Sequence, residues 1–188
     1  MTPDAHWLAA RLGIHSRRQM SAFLLLVDVQ RNMLEPPAPV PAAASIASEI
    51  ERLLERARAA GASVVHIRNN GGEDDPDAPG TPGWELVHEL RSGEHLVDKH
   101  EPDAFAGTAL ADLIPTDSSV VVAGMQSEYC VRETSLAALR HGHAVTLVRG
   151  AHATYDGDAP AVATQERVED ELRAAGARVA DPDESLFG

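Results

Sequence analysis

The chain has 188 residues, a single cysteine and a formal charge of −13 at pH 7. One cysteine excludes an internal disulfide, and the negative charge disfavours nucleic-acid phosphates and anionic lipid as partners. No signal-peptide pattern and no apolar run of membrane-spanning length is present. We therefore expect one cytoplasmic domain whose partners are small molecules or other proteins, with no nucleic acid and no membrane as partner.

The chain begins with an amphipathic pattern and a basic connector, which predict an N-terminal helical arm over residues 1–20. The domain, residues 21–188, opens on "AFLLLVDV", an unbroken apolar run typical of a strand buried on both faces of a parallel sheet. A Pro-rich loop follows. Apolar residues then recur at helical spacing over residues 43–60, and Gly61 marks the end of that predicted helix.

Strands and helices alternate along the rest of the chain. Further strands are predicted at "SVVHI", "HLVD", "SSVVVAG", "AVTLV" and "ARVA", and further helices at "TALADLIP", "EYCVRETSLAALRHG" and "AVATQERVEDELRAAG". This alternation predicts an α/β fold, a three-layer α/β/α sandwich around a mostly parallel sheet of about six strands. The long polar loop over residues 68–90 is expected to cover or line a site, and a flexible surface excursion is the alternative.

Three reactive side chains lie at the carboxyl ends of predicted strands, where parallel sheets bind ligands. They are Asp28, Lys99 and Cys130. Lys99 is the only lysine, since the other fifteen basic residues are arginine. A charged carboxylate at the end of a buried strand is energetically costly unless it is paired or solvated. We therefore expect Lys99 to form an ion pair with Asp28. A structural salt bridge remains the alternative for this pair.

The sequence around Cys130 favours a nucleophile. Ser127 is expected to cap a helix that begins at Glu128, which places Cys130 in the first turn. There the helix dipole and a nearby ammonium would lower the thiol pKa, and a carboxylate could take its proton. A lone cysteine is otherwise a small buried hydrophobe, but an acid and a lysine at the same edge favour the nucleophile.

These residues lie in three segments that resemble the signature segments of the isochorismatase-like cysteine hydrolases. The segments are "LLLVDVQRNM", "KHEPDAFAGT" and "GMQSEYCV", and with "GTPGWE" they most resemble the streptothricin hydrolase branch. The likeness extends from about residue 22 to residue 180. It implies the isochorismatase-like hydrolase fold and a catalytic triad of Asp28, Lys99 and Cys130. It also implies a cis peptide bond between Met125 and Gln126, and an oxyanion hole formed by the N–H groups of Gln126 and Cys130.

The function that this resemblance implies is cysteine-dependent hydrolysis of an amide or lactam C–N bond in a small molecule, through an acyl-thioester. No cofactor is expected. Isochorismatase proper lacks the nucleophilic cysteine, so Cys130 favours the amidase members of the superfamily. Nicotinamidases carry a metal-binding aspartate and paired histidines after the second strand, where this chain has "HIRNNGGEDDP", so we expect no metal. We also expect a homo-oligomer, either a dimer or a tetramer.

Other residues near the motifs have two possible roles. Met33, Trp84, Phe105 and Tyr129 are predicted to form the pocket wall, and each could instead belong to the core. His66 either touches substrate or is structural. The aspartates at positions 74, 75 and 77 are more typical of a solvated loop than of a calcium site.

Several alternative functions stay open. One is a nicotinamidase or a carbamoyl-amidase, another is a non-catalytic regulator on the same fold, and a third is a redox sensor that uses Cys130 as a low-pKa thiol. His152 follows a predicted strand and leaves open a Cys–His pair, which we disfavour because Asp28 already supplies a base.

Overall fold

The computed structural model describes residues 21–187, so the predicted N-terminal arm lies outside the described residues. Six strands form one sheet in the order β3-β2-β1-β4-β5-β6. They are β1 (Ala22–Val27), β2 (Ser63–Asn69), β3 (His95–Lys99), β4 (Ser119–Met125), β5 (Ala144–Ala153) and β6 (Arg178–Ala180). All neighbouring strands pair in parallel. The predicted six-stranded parallel sheet is thus confirmed.

Five α-helices lie between the strands in the described part of the chain, and the long loop joins β2 to β3. The helices are α1 (Arg31–Leu34), α2 (Ala43–Ala59), α3 (Leu110–Leu113), α4 (Arg132–Arg140) and α5 (Ala161–Ala174). A π-helical segment, Ser127–Val131, leads into α4, and a 3-10 turn, Pro82–Trp84, lies in the long loop. The sequence did not predict α1, because a single turn is too short to show helical periodicity. No helix within residues 21–187 is both long and apolar enough to cross a bilayer.

Alternate residues of β1 pack against different helical layers. Leu24 and Leu26 belong to the core cluster that α2 covers, whereas Leu25 and Val27 belong to the cluster that α4 and α5 cover. Successive side chains of a strand point to opposite faces of the sheet, so an unbroken apolar strand needs helices on both sides. The three-layer α/β/α architecture follows from this pattern.

The central strands β1 and β4 approach each other closely at Gly124, near the carboxyl edge of the sheet. A Cβ atom at position 124 would lie 1.9 Å from the carbonyl oxygen of Val27, and the φ angle of Gly124 is +127°. Asp28 follows directly and leaves the sheet with a φ of +51°, a region that aspartate tolerates better than most residues. Only glycine fits at position 124, where β4 runs beside the residue that precedes Asp28.

We predict that Gly124→Ala destabilises the protein severely, because the new methyl group must displace backbone atoms of β1 and the φ angle is unfavourable for alanine. The free energy of unfolding should fall by at least about 3 kcal/mol, measured by urea denaturation. Gly157→Ala is the matched control, since a Cβ there has no atom within 4 Å, and it should change stability by less than about 0.5 kcal/mol. Equal stability of the two variants would contradict this account of the strand contact.

Candidate active site

The ammonium group of Lys99 joins three side chains at the carboxyl edge of the sheet. Its Nζ atom lies 2.9 Å from Oδ2 of Asp28, 3.1 Å from Oδ1 of Asn69 and 3.2 Å from Sγ of Cys130. The side chain is completely buried. An ammonium group has three N–H donors and no acceptor, so each donor has one partner here.

Lys99 reaches Asp28 although one strand, β2, separates the strands that carry them. Lys99 ends β3, and β2 lies between β3 and β1 in the sheet. Neighbouring strands are about 4.8 Å apart, so the ammonium group must extend across the end of β2 to meet the carboxylate after β1. The length of the lysine side chain makes this contact.

Asn69 is a site residue that the sequence analysis missed. It ends β2, accepts a hydrogen bond from Lys99, and donates one to Oδ2 of Asp77 at 2.7 Å. The buried Gln30 holds the Asn69 backbone from both sides, accepting from its N–H at 2.9 Å and donating to its carbonyl at 3.1 Å. Because Asn69 ends a parallel strand at the same edge as Lys99, the strand-end argument would have found it.

Asp28 is placed to accept a proton. Its side chain is 2% exposed, and its Oδ1 atom has no hydrogen-bond partner among the described residues. Burial raises the pKa of the Asp28 carboxyl above its usual value, although the charge of Lys99 opposes the shift. Burial also opposes the charge of Lys99, but Asp28 and Cys130 outweigh it and raise the pKa of the ammonium group. Lys99 and Asp28 thus form a buried ion pair with a contact of 2.9 Å, and the second oxygen of the carboxyl group, Oδ1, makes no hydrogen bond within the described residues.

The pKa of the Cys130 thiol is raised, contrary to the expected lowering. Burial and the charge of Asp28 raise the pKa of Cys130 to about 12, although Lys99 acts in the opposite direction. The dipole argument from the sequence was wrong because it omitted desolvation and the adjacent carboxylate. A thiol in this state needs a base within the site before it can act as a nucleophile.

The predicted capping role of Ser127 is also wrong. Ser127 is the first residue of the π-helical segment, Gln126 occupies the N-cap position, and Gln126 makes no side-chain capping bond. The Ser127 hydroxyl is buried and lies 2.9 Å from Nδ1 of His152 on β5. The peptide bond between Met125 and Gln126 is cis, as the family resemblance implied.

His152 does not contact Cys130 but supports the segment that carries it. It is buried, bonds Ser127, and places its Nε2 atom 3.5 Å from Oε1 of Glu169 on α5. Its backbone carbonyl accepts a hydrogen bond from Gln165, also on α5. These contacts connect the π-helical segment to β5 and α5. The Cys–His alternative has no geometric support.

A cavity of about 440 Å³ opens beside the thiol, which we call the reactive cavity. Asp28 and Cys130 line it together with Asn69 and Gln126, and the long loop contributes the aspartates at positions 75 and 77. Two of the residues predicted for the pocket wall, Met33 and Tyr129, line it as well. The loop over residues 68–90 therefore lines the site, as expected.

The other two predicted wall residues lie elsewhere. Phe105 is packed in the hydrophobic core and its ring stacks on His141, with 4.6 Å between ring centroids. Trp84 lies in the loop, where its indole N–H donates to Oδ1 of Asn70 at 2.7 Å and the Arg68 guanidinium lies 3.5 Å above its ring. Adjacency to a motif did not determine the direction in which either side chain points.

The remaining candidates have structural partners. His66 is buried and bonds Oε2 of Glu94 at 3.0 Å, so it is a structural histidine. Asp77 accepts from Asn69, and Asp75 accepts from the backbone N–H of Gly72. Within residues 21–187, no group of three or more His, Cys, Asp and Glu side chains is arranged to hold a metal ion.

Comparison with known proteins identifies the family. The pattern that defines the isochorismatase domain matches residues 22–183 of this chain. The chain belongs to the isochorismatase family. Two streptothricin hydrolases of Streptomyces noursei are 46% and 48% identical to it over 137 and 138 residues. Each alignment covers 71% of this chain but 50% and 54% of the relative, so the chain spans about half the length of these curated relatives.

Two solved structures share this fold. An isochorismatase from Pseudomonas putida is similar with a TM-score of 0.76 and 26% identity, covering 96% of this chain and 98% of that one. N-carbamoylsarcosine amidase from Thermoplasma acidophilum has a TM-score of 0.74 and 25% identity, covering 88% of this chain and 99% of that one. The isochorismatase-like hydrolase fold expected from the sequence is confirmed.

We predict that Asp28→Asn makes Cys130 more reactive toward iodoacetamide at pH 7. Removing the carboxylate leaves the thiol beside the unpaired Lys99 ammonium, so the thiol pKa should fall. Alkylation, followed by mass spectrometry, should be at least about tenfold faster than in the wild type. Asp98→Asn removes a carboxylate that pairs with Arg68 instead and is the control. Slower alkylation of Asp28→Asn than of wild type would contradict this electrostatic account.

Proposed function

We propose that this isochorismatase-family protein is an amidohydrolase that cleaves an amide or lactam C–N bond in a small molecule. The observation that carries the proposal is the contact of one buried ammonium, on Lys99, with the carboxylate of Asp28 and the thiol of Cys130 beside a cavity. The likeness to two streptothricin hydrolases and to an N-carbamoylsarcosine amidase supports the same chemistry.

In the proposed first step, Asp28 takes the thiol proton and the sulfur of Cys130 attacks the substrate carbonyl carbon. The carbonyl becomes an oxyanion, for which the backbone N–H groups of Gln126 and Cys130 are the proposed donors. Asp28 then returns the proton to the nitrogen, the C–N bond breaks, and the amine leaves. An acyl-thioester remains on Cys130.

In the second step, Asp28 takes a proton from a water molecule, and the resulting hydroxide attacks the thioester carbonyl. Collapse of this intermediate expels the Cys130 thiolate, which regains its proton from Asp28, and the carboxylic acid product leaves. Lys99 stays charged throughout and stabilises whichever partner, Asp28 or Cys130, carries the negative charge. The net charge of the three groups is the same before and after each internal proton transfer.

The raised pKa of the thiol favours this mechanism over a redox sensor. Sensor cysteines react as thiolates with a low pKa, whereas the pKa of Cys130 is about 12. An enzyme tolerates this value because its base is adjacent and forms the thiolate only when the carbonyl is present. A carbamoyl compound is the second substrate class, on the likeness to the N-carbamoylsarcosine amidase.

The first test is a screen of the purified protein for release of ammonia or amine from lactams, ureido compounds and simple amides. Cys130→Ser should keep its melting temperature and lose at least about 1,000-fold in kcat/KM, since serine in this site is a far weaker nucleophile. A strong chelator should leave the turnover unchanged, because Asp28, Lys99 and Cys130 supply every step. Full activity of Cys130→Ser, or loss restored by added zinc, would contradict the proposal.

We predict that Lys99→Arg is nearly as damaging as Lys99→Ala, at about a hundredfold loss in kcat/KM. Arginine keeps the charge, but its planar guanidinium is larger and prefers a bidentate grip on a carboxylate. It would occupy both oxygens of Asp28 and crowd Cys130.

The control for this prediction is Arg52→Lys, which exchanges the same two residue types in an exposed ion pair with Asp183. Turnover of this variant should match that of wild type, and thermal melts should show that all variants fold. If Lys99→Arg keeps more than about half of the wild-type kcat/KM, position 99 serves only as a counter-charge and the proposed role of Lys99 fails.

A further inference from the structure

A second cavity of about 290 Å³ adjoins the reactive cavity. Asn32, Pro76 and Tyr155 line both cavities, so the two cavities share part of their walls. We call the second space the outer cavity. Its remaining wall is formed mainly by Pro36, Pro37, Ala38, Pro82 and Gly83.

The chemistry of the outer cavity differs from that of the reactive cavity. Proline rings are apolar and rigid, and proline has no backbone N–H donor. The two charged side chains of the wall, Arg31 and Glu35, lie 3.8 Å apart, and Arg31 also pairs with Glu85 at 2.8 Å. These charges are already partnered. The wall therefore favours a flat apolar group over an ion, whereas Asp28 and Asp77 make the reactive cavity polar.

Two contacts hold the wall of the outer cavity, one between separate segments and one within the long loop. The Tyr155 hydroxyl donates to the carbonyl of Ala38 at 2.8 Å, which joins the segment after β5 to the Pro-rich loop. A Cβ atom at Gly83 would lie 2.2 Å from the carbonyl oxygen of Pro76, so two parts of the long loop are in direct contact. A wall that is formed before binding loses little entropy when a ligand enters.

We propose that the outer cavity binds a second, apolar part of the substrate whose amide or lactam group lies beside Cys130. The inference rests on the proposed amidohydrolase function and narrows its substrate class. The substrate is an amide or lactam that carries a flat apolar or aromatic group on a short chain. The chain passes Asn32, Pro76 and Tyr155, and the ring contacts the prolines and buries apolar surface that a minimal amide leaves in water.

The test measures binding to Cys130→Ser protein by calorimetry, so that no turnover occurs. The probes are primary amides with a terminal phenyl ring on chains of one to six methylene groups, each compared with the alkyl amide that lacks the ring. The ring should strengthen binding by at least about tenfold at one intermediate chain length, since burial of an apolar ring supplies that gain only when the chain spans the shared residues. A steady gain with size, without a maximum, would overturn the proposal.

Ala38→Trp, introduced into the same Cys130→Ser protein, provides the second measurement, because its side chain would occupy the outer cavity. The ring-dependent gain should disappear, while the affinity for the short alkyl amide should stay within about twofold. Ala44→Trp places the same side chain at an exposed position of α2 and should keep the gain. A gain that survives Ala38→Trp would also overturn the proposal.

The outcomes separate this proposal from the proposed function. Wild-type protein that hydrolyses simple amides, combined with no ring-dependent gain, refutes the outer cavity alone. A ring-dependent gain that Ala38→Trp removes, combined with no hydrolysis of any amide by the wild type, supports the outer cavity as a binding site and refutes the hydrolase.

Discussion

The site depends on one buried ammonium group. A charge without partners is expensive inside a protein, and Lys99 is stable there because Asp28, Asn69 and Cys130 together accept all three of its hydrogen bonds. The Asp28 carboxylate balances the charge of Lys99, and burial together with Asp28 raises the pKa of the Cys130 thiol. Moving the thiol proton to Asp28 keeps that balance, which is why a high thiol pKa is compatible with the proposed chemistry.

The strand order of the parallel sheet brings the partners of the Lys99 ammonium group together. Asp28, Asn69 and Lys99 follow or end three neighbouring strands, and β4 leads into the segment that carries Cys130. Gly124 allows β4 to lie very close to β1 beside Asp28. A long, unbranched side chain with a compact charge can pass the end of β2 and still contact a carboxylate, an amide and a thiol. This accounts for a lysine in a chain whose other basic residues are arginine.

The residues around the proposed triad fall into two groups, one that supports the cysteine-bearing segment and one that lines the cavities. His152 and Ser127 hold the cysteine-bearing segment against β5 and α5. Neither residue lines the reactive cavity or the outer cavity. The long loop contributes polar groups to the reactive cavity, and the Pro-rich segment after α1 contributes apolar surface to the outer cavity. The loops around the sheet edge, rather than the sheet itself, thus form the surfaces that a substrate meets.

The sequence by itself determined the six strands and the longer helices, and it proposed the three candidate catalytic residues, because apolar periodicity and strand-end position are properties of neighbouring residues. It also carried the family likeness. Only the tertiary structure decided that Lys99 crosses β2, that Asn69 takes part, that Phe105 faces the core and that Ser127 pairs with His152. The tertiary structure also decided that the pKa of the Cys130 thiol is raised. These features depend on desolvation and on contacts between segments far apart along the chain, and no local pattern encodes them.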